Sequence, residues 1–88
     1  NMTQATIDIR LANMQKMEQH KFNRLLAILQ TEVEKAFSDA IVRVRPSQSM
    51  SDVSVFGLGK NGKNEVVAFL ENLFNESSAF DDLNEDYY

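Results

Sequence analysis

The sequence predicts an α+β fold: a two-layer sandwich in β-α-β-β-α order, with a three-stranded sheet and both helices packed on one face. Three observations carry this. Residues 3–12 and 40–45 alternate apolar and polar side chains, the period of a half-buried strand. Residues 16–37 and about 60–77 repeat their apolar residues at helical spacing. Pro46 and the glycines at 57, 59 and 62 punctuate the second half of the chain.

In the first strand Ala5, Ile7, Ile9 and Leu11 share one side, with Thr6, Asp8 and Arg10 on the other. Phe22, Leu25, Leu26, Leu29, Val33, Ala36 and Phe37 then form one helical stripe, ended by Ser38-Asp39. Ala40, Val42 and Val44 point inward in the second strand, and Pro46 is expected to stop it for want of an N–H. A third strand runs from Val53 to about Leu58, forming a hairpin with the second through residues 46–52. If adjacent, the first two strands are parallel through a right-handed crossover. The last helix places Val66, Phe69, Leu70, Leu73, Ser77 and Phe80 on one face, and residues 81–88 read as an acidic tail prone to fraying. The whole of 1–88 reads as one domain, since 88 residues hold a single thin core.

The formal charge of −4 conceals a polarity. All nine basic residues lie in 1–63 with six acids, giving +3, whereas 64–88 carry seven acids and no base, giving −7. Such a segment repels nucleic acid and attracts basic protein surfaces. The chain has no cysteine, which excludes disulfides, zinc-thiolate sites and thiol nucleophiles. No apolar run is long enough to span a membrane, and the first residues lack the basic and apolar regions of a signal peptide. Asn1 ahead of Met2 reads as a cloning remnant, and a cytoplasmic location is expected.

Several motifs invite chemistry. Gly57, Gly62 and Lys63 spell the G-x-x-x-x-G-K of a phosphate-cradling loop, but Asn64 replaces the magnesium-binding Ser or Thr, and no acidic metal partner is in view. The loop reads instead as a tight turn, with Gly59 a permitted helix N-cap. His20, the sole histidine, stands without a nucleophile and acid beside it in sequence. Asp81-Asp82 and Glu85-Asp86 lack the spacing and glycine of a calcium loop. Arg43 and Arg45, with Arg10 beside them, line the sheet face away from the helices; Phe56 is the only aromatic available there to stack a base. No enzyme activity, cofactor, resident metal or direct nucleic-acid binding is expected.

The pattern resembles the DinI family, small regulators of the bacterial DNA-damage response. The likeness lies in Ala40-Ile41-Val42-Arg43-Val44-Arg45, then Val53-Ser54-Val55-Phe56-Gly57, the helix from Glu65 to Phe74, and Ala79-Phe80-Asp81-Asp82-Leu83. Where the family usually has tryptophan, Phe74 and Phe80 stand; Asn84-Glu85-Asp86-Tyr87-Tyr88 extends the end. The resemblance implies the same β-α-β-β-α order and a partner, the RecA recombinase filament on single-stranded DNA. There an acidic helix and tail imitate DNA's negative charge and modulate strand exchange and repressor self-cleavage. The carry-over falls on Glu71, Glu76, Asp81 and Asp82; Glu65, Glu85 and Asp86 join them on charge alone. Carboxylates along one helix are expected to form a string of negative charge. Phe74, Tyr87 or Tyr88 can add an apolar anchor, though edge-of-core packing is the plainer role for Phe74. The alternative partner is a phage repressor, bound by a prophage antirepressor-type module; behind it stands nucleotide binding at the loop from Gly57 to Lys63. No membrane partner is implied, and a monomer or weak dimer is expected.

Overall fold

A computed structural model describes residues 4–84 of the chain. It contains β1 (Ala5–Ala12), α1 (Gln19–Ala36), β2 (Ala40–Ser47), β3 (Asp52–Phe56), α2 (Gly62–Glu76) and a closing 3-10 turn (Asp81–Asn84). The α+β class and the β-α-β-β-α order are as the sequence predicts. The sheet order is β2-β1-β3, with β1 parallel to β2 and antiparallel to β3.

The expected β2–β3 hairpin is therefore wrong: β1 lies between the two strands. The link from Ser47 to Asp52 crosses the end of β1, where the Ser51 Oγ accepts a hydrogen bond from the Ala12 N–H at 3.0 Å. Four residues reach roughly 13 Å, enough to cross two strand spacings of about 4.8 Å each.

Pro46 does not stop β2, which runs on to Ser47 with Pro46 paired to Leu11. Backbone groups alternate sides along a strand, and those of Val42 and Val44 point away from β1 to bond the Gln30 side chain. Pro46, two residues on, has its missing N–H on that same outer edge, so the β1–β2 ladder loses nothing.

Helix α1 begins at Gln19 rather than Lys16. Lys16 has φ +54, outside the helical region, and Asn13 holds the turn by donating to the Met17 carbonyl and accepting from its N–H, both at 2.9 Å. Helix α2 starts at Gly62 behind Asn61, so Gly59 is not its N-cap. It ends at Glu76, short of Phe80, because Ser77 is extended. The Ser77 Oγ donates to the Leu73 carbonyl and accepts from the Ala79 N–H, both at 3.0 Å, which turns the chain.

Both helices cover one sheet face. Ile7, Ile9 and Val42 from the sheet pack against Leu29 and Val33 of α1 and Val66 and Leu73 of α2. Phe22 and Leu26 extend the buried stripe of α1, while Leu25 and Phe37 are half-buried and Ala36 is exposed. Phe37 meets Phe69 edge to face at 5.6 Å, joining the two helices. Among the described residues, no helix is long and apolar enough to cross a membrane.

Candidate protein-interaction surface

The structure distributes the sequence-predicted carboxylates unevenly. Glu65 stands in the first turn of α2 and Glu76 is its last residue, eleven positions and roughly 16 Å further along the axis. Those two share a flank, whereas Glu71 lies roughly 120° or more around the helix from either. All three are exposed. The helix therefore carries no single string of negative charge, contrary to the sequence expectation. Asp81 and Asp82 follow Glu76 in the chain across a four-residue connection, and the turn that carries them packs against α1. Glu85 and Asp86, with Tyr87 and Tyr88, lie outside the described residues.

Asp81 and Asp82 do not begin a frayed tail. They sit in the 3-10 turn, exposed, between two anchored side chains. Phe80 stacks on Phe74 with ring centroids 4.8 Å apart and planes 9° from parallel. Leu83 is only 3% exposed, buried where the turn packs against α1. Backbone bonds from Asp81 to Ser78 and from Leu83 to Phe80, both 3.1 Å, close the turn. Leu83 is the residue that sequence reasoning missed; its signal was a lone leucine three positions after Phe80 within a polar run.

No base occupies the last turn of α2, so Glu76 adds charge to the negative pole of the helix dipole. Among the described residues, none of Glu65, Glu71, Glu76, Asp81 or Asp82 is in an ion pair. Arg24 of α1 shares a shallow groove with Asp82, floored by Ile28 and Ala79, without pairing to it. Phe74 is 45% exposed and forms one wall of an apolar pocket of about 260 Å³ with Leu11, Met14, Met17, Phe22 and Leu25.

The other motifs do not build sites. β3 runs antiparallel to β1, its only sheet neighbour among the described residues, so the loop after it abuts the start of β1. A P-loop requires instead the end of a parallel neighbour, where an acidic metal partner stands. Gly57 adopts φ +82, and a Cβ there would lie 2.9 Å from the Ala5 Cα; Gly59 also has positive φ, at +86. These glycines serve a turn. His20 is exposed, its Nδ1 3.6 Å from the equally exposed Glu18. Among the described residues no three His, Asp or Glu side chains converge as a metal cage.

On the open sheet face Arg10 lies opposite Arg45 in register and Asp8 opposite Arg43, while Arg45 pairs with Asp8 at 2.9 Å. Asp52 faces Arg10 from β3. Carboxylates thus interleave with the arginines, and the described acidic turn packs on the helical layer rather than on this face. Searched against protein-family models the chain matches none, and no curated protein matches it.

Proposed function

We propose that this protein is a non-enzymatic regulator of the bacterial DNA-damage (SOS) response. It binds the RecA filament through the acidic end formed by Glu76, Asp81 and Asp82, extended by Glu85 and Asp86. Binding there modulates recombination and RecA-stimulated repressor cleavage. The observation that carries the reading is three exposed carboxylates, Glu76 at the C-terminal residue of α2 and Asp81 and Asp82 on a turn that Leu83 anchors, none of them ion-paired among the described residues. The resemblance of the chain to the DinI family supplies the partner.

Fixed carboxylates meet a basic surface without first ordering a flexible segment, so association is fast, steered and salt-sensitive. Glu65 and Glu71 act at longer range, adding to the field rather than to the contact. The exposed face of Phe74, one turn beyond Glu71, offers apolar area beside the charge.

The test is fluorescence anisotropy of the labelled protein against RecA filaments on single-stranded DNA at low and high salt. A variant with Asp81→Asn, Asp82→Asn, Glu85→Gln and Asp86→Asn serves as control. Saturable binding that weakens with salt and with neutralisation supports the reading. No binding at micromolar filament would sink it and move the search to phage repressors.

A further inference from the structure

The two edges of the sheet are treated differently by the rest of the fold. On β2 the Gln30 side chain acts as a substitute strand: its Nε2 donates to the Val42 carbonyl at 2.6 Å and its Oε1 accepts from the Val44 N–H at 2.8 Å. Pro46 removes the next outward donor on that edge. Gln30 and Pro46 thus close β2 to further pairing. β3 differs. Among the described residues no side chain and no other backbone segment bonds its outer edge.

We propose that β3 is a self-association edge, at which a second copy of this chain pairs antiparallel across a two-fold axis through Ser54. The sequence Asp52-Val53-Ser54-Val55-Phe56 fits its own reverse. A register that overlaps all five residues sets Val53 against the second copy's Val55, and Val55 against its Val53. Both valines are half-buried on the core side, so the two apolar layers join across the seam. On the open face Phe56, 60% exposed, falls beside the second copy's Asp52 rather than against another ring. Asp52, the only charged residue of β3, is thereby kept from its own copy by roughly 13 Å of strand. Pairing through β2 would instead bring the exposed Arg43 and Arg45 of two copies together. The described acidic turn packs on α1 and the seam lies at β3, so a dimer presents two acidic ends.

The chain has no cysteine, which makes a cross-linking test clean. Ser54 is exposed and self-paired in this register, with Cα atoms about 4.5–5.5 Å apart, within disulfide range. Under oxidised glutathione, Ser54→Cys at tens of micromolar is expected to convert mostly to a disulfide-linked dimer. Ile41→Cys, exposed on β2, is expected to link at least tenfold more slowly. Sedimentation of the unmodified chain from micromolar to millimolar should rise from 10.0 kDa towards twice that mass. Ser54→Lys, at an exposed position, sets two ammonium groups face to face and should raise the dimer dissociation constant at least tenfold with an unchanged circular dichroism spectrum. A constant 10.0 kDa mass to millimolar concentration, or equal cross-linking of the two cysteine variants, would overturn the proposal.

Discussion

Replacing Gln30 tests how far one side chain holds the second strand. It makes two hydrogen bonds to the outer edge of β2 and a third to Glu34 at 2.8 Å. A hydrogen bond contributes about 0.5–1.5 kcal/mol net, so the two strand bonds together are worth about 1–3 kcal/mol. In Gln30→Ala, water re-solvates part of the freed edge and alanine's helix propensity returns a few tenths of a kcal/mol, leaving a loss of about 1–2 kcal/mol. For a domain of this length that is a fall in Tm of about 4–16 °C, read by thermal unfolding. Gln30→Glu sharpens the argument. At neutral pH its carboxylate keeps an acceptor for Val44 but presents a second acceptor to the Val42 carbonyl, one turn from Glu34. Only the protonated acid donates to Val42, so the folded-state pKa of the introduced carboxyl should rise above the unfolded value of about 4.3. Stability is then fully restored below that unfolded pKa and lost as pH climbs through the raised folded value. A Gln30→Ala loss under about 0.5 kcal/mol, or a Gln30→Glu deficit that is flat with pH, would refute the strand-substitute role.

Three further perturbations separate anchors from surface. Leu83→Ala removes the buried contact of the acidic turn and should cost about 2–3 kcal/mol in denaturant unfolding while loosening Asp81 and Asp82. Gly57→Ala meets both a positive φ and the Ala5 backbone, and should cost about 1–3 kcal/mol by the same assay. Asp8→Asn breaks only the surface pair with Arg45, whose members are 35% and 44% exposed, so the change should stay within about 1 kcal/mol and vanish in high salt.

The regular elements were legible because each buries one face. Alternation placed Ile7, Ile9 and Val42 in the core, and helical spacing did the same for Leu29, Val33, Val66 and Leu73. Strand order was not legible by that route, since alternation states which side faces the core and not which strand is the neighbour. Pro46 nevertheless held the answer. In a β2–β3 hairpin its missing N–H would face β3 inside the ladder; on an outer edge it costs nothing. The Gln30 clamp left no pattern at all, because a glutamine on a helix flank looks like solvated surface until the strand beside it is known. The acidic end was legible as charge but not as structure. Composition placed seven acids in the last stretch of chain, yet whether Asp81 and Asp82 are held depends on Leu83 finding a place against α1.

Glu76 offers a last way to tell a functional carboxylate from a structural one. It stands at the C-terminal residue of α2, where the helix dipole disfavours negative charge, and it has no ion pair among the described residues. Glu76→Gln should therefore stabilise the domain, by about 0.3–1 kcal/mol at low ionic strength and by less as salt screens the dipole. The same substitution should weaken binding to a basic partner. A residue whose removal strengthens the fold while weakening recognition is retained for recognition, and that opposition is the signature to seek. Stability that falls on neutralisation would instead make Glu76 part of the scaffold, and the acidic end would then have to act through Asp81 and Asp82 without it.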